Sequence, residues 1–241
     1  MRTIRYQVIA GDLRERLETM AAGELLPSES DLSAEFGVSR VTVRRALELL
    51  RDEGLVDSRQ GFGWYMATEP VRQRLGSLET IESQLRRRGV VAERRVLEFA
   101  FVDAPEAVAK ELGCDHVLRV KRMNFADGSP FAVVTVWCPF ELGQHLSRSD
   151  VERKPFYELL GLALRGATQT IGAGAADASD AELLGVPVGS PTLRCERVTT
   201  DTAGRPVLLS EHVFPGHRTE FVVDLPLAEP SITPTGLRLL E

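Results

Sequence analysis

The sequence predicts an α+β protein in two parts: a helical N-terminal unit closed by a short hairpin, and a larger C-terminal unit built on an antiparallel sheet. Three observations carry this prediction. Residues up to about 66 show helical periodicity followed by a hairpin with glycines at its tip. Beyond about residue 77 the apolar positions alternate as in strands, with short helices between them. Within that second part, "DAPEAVAKELG…VLRVKRMNFADGSPFAVVTVWCP" is echoed by "DASDAELLGVPVGSPTLRCERVTTDTAGRPVLLSEHVFP", so that Leu118, Arg119 and Arg122 correspond to Leu193, Arg194 and Arg197. A duplicated helix-and-hairpin unit implies a sheet of pseudo-twofold character with helices on its faces.

The first helix is expected over 6–20, where Ile9, Leu13 and Leu17 recur at i, i+4 and make one apolar stripe, and Gly23 ends it. Ser28 caps a second helix, with Asp31 three residues on in capping-box position and Leu32 and Phe36 on the buried side. Gly37 and Val38 make a turn. Ser39 caps a third helix, in which Val43, Ala46, Leu47 and Leu50 share a face and Gly54 supplies the stop. Two short helices around a tight glycine turn are the layout of a helix-turn-helix.

The free side of the third helix carries Ser39, Arg40, Thr42, Arg44 and Arg45 in its first two turns and Glu48, Asp52 and Glu53 later. Only the first half suits DNA, where arginine bonds guanine O6 and N7 bidentately and hydroxyls reach phosphates or base edges. Arginines near acids are also common on solvated helix faces. The next segment favours DNA: residues 55–59 and 64–66 read as strands joined through Gln60, Gly61, Phe62 and Gly63. Such a wing can bring Gly61 close to the minor groove, with Arg59 and Gln60 placed for backbone contact or A·T readout.

Polar residues bounded by proline and glycine over 67–76 read as a linker. The expected domains are therefore 1–66 and 78–241, joined through 67–77. In the second domain we expect a strand over 91–101, a helix over 105–112, and strands over 116–125 and 131–138 joined by a turn at 126–130. A helix over 155–164 and a third strand over 167–176 precede the repeat. Along the strand 116–125, Leu118, Val120, Arg122 and Asn124 share a face. An arginine among apolar neighbours needs an anionic partner, because an unpaired buried charge costs about 3–5 kcal/mol. That partner is either an anionic ligand or one of the domain's own glutamates.

Composition narrows the classes. The chain has 241 residues, 43% apolar and 27% charged, enough for two cores. No apolar run reaches the ~18 residues that a membrane helix requires, and the first residues lack a secretory pattern, so a cytoplasmic location is expected. A net charge of −6 argues against non-specific coating of nucleic acid or anionic lipid and leaves room for a local basic patch. Cys114, Cys138 and Cys195 are odd in number and far apart, as befits reduced thiols. The histidines show no zinc-ligand spacing, and no phosphate-binding loop, dinucleotide fingerprint or nucleophile elbow is present, so no metal or cofactor is expected.

The stretch "LPSESDLSAEFGVSRVTVRRALELLRDEGLV", followed by "RQGFG", resembles the winged helix-turn-helix of the GntR family of bacterial transcription regulators nearly residue for residue. The resemblance implies DNA contacts by Ser39, Arg40, Thr42, Arg44 and Arg45, and by Gln60 and Gly61 in the wing beside Arg59. Two positions depart from the pattern. Ser30 stands where many relatives carry an arginine that helps read the operator, and Trp64 replaces a small hydroxyl residue, a change expected to leave the fold intact.

Residues 78–224 look like the UTRA domain of the HutC subfamily, which resembles chorismate lyase and binds a small effector. Relatives that bind phosphorylated sugars carry a second arginine at Asn124, a glutamate near Val134, and a glutamate and a tyrosine at Leu208 and Phe214, whereas Thr135 agrees with the family pattern. The resemblance implies a ligand-responsive regulator, usually a repressor, that binds a short inverted repeat with GT and AC ends as a homodimer. Its effector would carry a single anionic group on a body more apolar than an amino-sugar phosphate, held by Arg122 with Asn124, Thr135, His212 and Phe214. The segment 70–76 is the expected hinge. A chorismate-lyase-like enzyme fused to a DNA-binding module is the alternative, but no general acid or base identifies one. A ligand-free DNA-architectural protein is disfavoured by the −6 charge.

Overall fold

The computed structural model describes residues 5–225 except 22, 60, 61, 68, 69, 77, 79 and 88. Its N-terminal unit packs α1 (Arg5–Leu17), α2 (Glu29–Glu35) and α3 (Arg40–Asp52) against a hairpin of β1 (Val56–Arg59) and β2 (Gly63–Met66). The caps are those the sequence predicts. Ser28 Oγ accepts from the Asp31 amide at 3.2 Å while Asp31 accepts from the Ser28 amide, a complete capping box, and Ser39 caps α3. Gly37 takes φ +60° in the turn between α2 and α3, a region that L side chains rarely occupy. Ile9, Leu13 and Leu17 of α1, Leu32 of α2, Val43, Leu47 and Leu50 of α3, and Trp64 of the hairpin form one core. Each buried leucine contributes roughly 1.5–3 kcal/mol to holding the unit together.

The segment expected to be a free linker is partly ordered. Val71–Arg74 forms β3, which pairs in parallel with β10 (Thr219–Val222) near the end of the described chain. A helix that periodicity did not announce, α4 (Ile81–Arg87), follows, and its Gln84 Oε1 accepts from the Arg74 amide at 3.1 Å.

The rest is β4 (Ala92–Asp103), α5 (Glu106–Leu112), β5 (His116–Ala126), β6 (Ser129–Pro139), α6 (Phe140–Gly143), α7 (Arg148–Arg153), α8 (Phe156–Leu159), β7 (Leu164–Ala175), α9 (Ala178–Leu184), β8 (Pro191–Asp201) and β9 (Pro206–Pro215). Six strands form one antiparallel sheet in the order β4-β5-β6-β9-β8-β7. That order reads as two β-α-β-β units placed back to back. The duplicated sequence is therefore a duplicated structure, and the repeat includes a strand, β4 or β7, that sequence identity had not reached. Both α5 and α9 end at a glycine with positive φ, Gly113 and Gly185.

Register locates the pseudo-twofold axis. Arg122 pairs with Val134 as Arg197 pairs with Ser210, and Val134–His212 and Val136–Ser210 flank the central pair Thr135–Glu211. The helix expected over 155–164 is only α8. Gly161 at φ +59° ends its turn, and Leu164 already belongs to β7. Among the described residues no helix is long and apolar enough to cross a membrane.

The two units touch at the turn after β9. The ring of His217 lies 4.2 Å from Phe62 and 5.0 Å from Tyr65 of the hairpin, between ring centroids. Arg218 runs over Gly23, where a Cβ would stand 2.7 Å from its Nε, and donates to the Pro130 carbonyl at 2.8 Å.

Candidate functional site

The DNA-facing candidates gather where α3 begins. Ser39 Oγ accepts from the Thr42 amide at 3.3 Å and lies 2.9 Å from Thr42 Oγ1, so the two hydroxyls are fixed together at the helix start. Arg40 donates to Ser30 Oγ at 2.8 Å, which ties it to the position where many relatives carry an arginine. Arg44 makes two bonds to Glu29, at 3.0 and 2.7 Å, and Glu29 also accepts from the Trp64 indole at 3.1 Å. The Arg44 guanidinium holds the Glu29 carboxyl below the usual range against the opposing effect of burial. Trp64 thus has a role beyond fold neutrality: it fastens the hairpin to the glutamate that orients Arg44. Arg45 and Arg59 are exposed. Gln60 and Gly61 lie outside the described residues.

This edge can exchange partners at little cost. The Arg44 side chain is 61% exposed, and an exposed ion pair is worth about 0–1 kcal/mol, so a phosphate or guanine edge can displace Glu29.

A cavity of about 550 Å³ lies on one face of the six-stranded sheet. Successive residues of a strand face opposite ways, and directly paired residues share a face. Arg122, Val136, His212, Ser210, Leu208, Arg197, Thr199 and Gln169 therefore form its floor in adjoining rows, and all of them line it. Its walls come from the β3–α4 segment, including Glu82, and from α8, including Tyr157.

Of the five effector candidates, Arg122 and His212 line this cavity. Asn124 shares their face but is buried behind Glu82, to which its Nδ2 donates at 3.3 Å. Phe214 packs in the core beneath, against Phe131, Phe221 and the His212 ring. Thr135 is a correction: it pairs with Lys121 and Glu211 on the opposite face. The cause is a bulge between Asn124 and Phe125, which shifts the β5–β6 register by one residue and reverses the parity that a plain two-residue turn would set.

The partner of Arg122 is also resolved. Glu82, only 4% exposed, sits 3.9 Å from Arg122 and binds Arg94 at 2.6 and 3.1 Å. Burial opposes its charge, but Arg122 and Arg94 together keep it ionised, with a pKa well below the usual range. Burial and Arg94 lower Arg122, which stays a cation at neutral pH. Its first counter-charge is thus a glutamate of its own domain.

Arg197 differs. It donates to Gln169 Oε1 at 2.7 Å and to the Tyr157 hydroxyl at 3.3 Å, both neutral acceptors. His212 lies within the field of both arginines; burial first, then Arg197 and Arg122, push it down to about 3, so it is neutral and shares a hydrogen bond with Ser210 at 3.1 Å. The duplicated sequence pointed to Arg197. Nothing in the sequence pointed to Glu82, because its partners lie far along the chain. Among the described residues no cluster of three His, Cys, Asp or Glu could hold a metal, and burial pushes the thiols of Cys138 and Cys195 up to about 12 and 11.

Comparison with known proteins gives two family matches: residues 5–66 with the bacterial regulatory proteins of the gntR family, and residues 87–220 with the UTRA domain. The HTH-type transcriptional repressor NagR of Bacillus subtilis is 30% identical over 231 residues, covering 91% of this chain and 93% of NagR. The mannosyl-D-glycerate transport/metabolism system repressor MngR of Escherichia coli is 33% identical over 157 residues, 63% of this chain and 65% of MngR. The crystal structure of PhnF from Mycobacterium smegmatis is similar with a TM-score of 0.61 at 26% identity, covering 91% of this chain and 99% of that one.

Proposed function

The chain belongs to the GntR family of bacterial regulatory proteins and is a transcriptional repressor with a UTRA effector domain, and from this premise we propose how it works. It binds a palindromic operator as a homodimer, and a small anionic metabolite in the sheet cavity releases or modulates that binding. We take 1–66 as the DNA-binding domain, 67–77 as the connection and 78–241 as the effector and dimerisation domain.

The observation that carries the reading is the pairing, in one chain, of an arginine-rich helix start with a cavity floored by two arginines. One recognition helix spans only a few base pairs, so useful specificity calls for two copies on two half-sites. Ser39, Arg40, Thr42, Arg44, Arg45 and Arg59, with Gln60 and Gly61 at the wing tip, are the proposed DNA contacts. Arg122 and His212 belong to the proposed effector site, with Asn124 and Phe214 behind them. An anionic effector accords with a floor whose arginines outnumber its carboxylates, and with the glycerate in the name of the relative MngR.

Mobility-shift assays on the DNA upstream of the protein's own gene, with and without a panel of sugar acids and sugar phosphates, test this. We expect a shifted complex that at least one anion alters and that Arg44→Ala abolishes. Binding indifferent to Arg44→Ala would refute the DNA-contact assignment.

A further inference from the structure

The pseudo-twofold axis makes Arg122 and Arg197 equivalent by strand register, yet their surroundings are not equivalent. At Arg122 the helix α4, which precedes β4 as α8 precedes β7, inserts Glu82 where the other repeat sets Tyr157 against Arg197. Glu82 also satisfies Arg94, whose remaining donors go to the carbonyls of Val151 at 3.1 Å and Lys154 at 2.9 Å. An anion arriving at Arg122 would sit beside this carboxylate and be repelled by it.

At Arg197 no carboxylate among the described residues lies within ion-pair distance; Gln169 and Tyr157 orient the guanidinium through neutral oxygens. A partly buried guanidinium with its fork already oriented is a ready receptor for a carboxylate or phosphate. The other two arginines of the lining, Arg74 and Arg165, are exposed, and Arg74 already has the Asp224 carboxylate 3.7 Å away.

We propose that Arg197, at the Tyr157–Gln169 end of the cavity, receives the anionic group of the effector, and that Glu82 turns the Arg122 end into a site for neutral hydroxyl or amide groups. The ligand class is therefore a small monoanion, charged at one end and polar but uncharged at the other. This rests on the reading of the cavity as the effector site, and it moves the anion from the arginine that the sequence favours to its symmetry mate.

The test is thermal stabilisation of the full chain by inorganic phosphate, against chloride at matched ionic strength. Each variant is read relative to its own melting temperature without phosphate. We expect phosphate to stabilise the wild type. We expect Arg197→Gln to weaken apparent phosphate affinity about tenfold or more, as for loss of a hydrogen bond to a charged group, and Arg197→Lys to restore part of it. Glu82→Gln should strengthen it by removing the competing carboxylate. Leu208→Trp, which fills the floor, should abolish it. No stabilisation of the wild type, or full stabilisation of Arg197→Gln, overturns the inference. If Arg197→Gln keeps its response while Leu208→Trp loses it, the cavity reading survives and only the Arg197 assignment fails. If Leu208→Trp keeps the response, phosphate binds elsewhere and both fail.

Discussion

Arg44 and Glu29 show how the proposed DNA-binding edge is held before DNA arrives. The bidentate pair, backed by the Trp64 indole, orients an arginine that would otherwise sample many rotamers. Glu29→Gln should tighten operator binding severalfold in a fluorescence-anisotropy titration, because the carboxylate that competes with DNA loses its charge. It should change unfolding free energy by less than about 1 kcal/mol, because the Arg44 end of the pair is exposed and a glutamine oxygen can still accept from the Trp64 indole. Arg44→Ala should cost about 1–3 kcal/mol of operator affinity. Arg40 and Arg44 were legible in the sequence because they stand on the first turns of a capped helix. Glu29 and Glu82 were not, because a side chain's partner across tertiary space leaves no periodic trace. Thr135 was read from the family pattern, which carries no register, and the bulge between Asn124 and Phe125 sets it on the other face.

The elements that were legible are those whose signals are local. The capping box at Ser28, the positive-φ glycines at 37 and 54, and the Asp127–Gly128 turn, with φ +48° and +76°, each fix a boundary by chemistry within a few residues. Ser28→Ala should cost about 0.5–2 kcal/mol of stability by chemical denaturation, since it removes that cap. The helix α4 and the β3–β10 pair were not legible, because they are short and held by partners far along the chain. The turn after β9 gives a prediction at this scale. Burial, then Arg218, push His217 down to about 4, so the folded state favours the neutral ring. The unfolded chain, with a histidine pKa near 6.5, binds that proton more readily, so this stabilisation is present above about pH 6.5 and lost as pH falls toward 4. Scanning calorimetry should show the melting temperature of the wild type falling more steeply than that of His217→Phe across this window. Parallel curves would remove His217 from the account.

At the scale of the whole molecule, cavity and DNA-binding unit are joined by short covalent routes. Strand β9 runs from His212 on the cavity floor to the turn in which His217 meets Phe62 and Tyr65, and β10 then pairs with β3, which leads to the helix bearing Glu82. A ligand that binds one arrangement of these elements better than another shifts their populations by its difference in affinity. The charge of −6 accords with the proposed design, in which an acidic surround weakens non-specific phosphate binding and Arg40, Arg44, Arg45 and Arg59 are the proposed operator contacts. The most direct test is fluorescence anisotropy of labelled DNA from upstream of the gene, titrated with wild type and with Leu208→Trp, each with and without the panel of small monoanions. The account predicts that both proteins bind the DNA alike and that a monoanion changes the wild-type affinity but leaves Leu208→Trp unmoved. A Leu208→Trp protein that responds as the wild type does would contradict it.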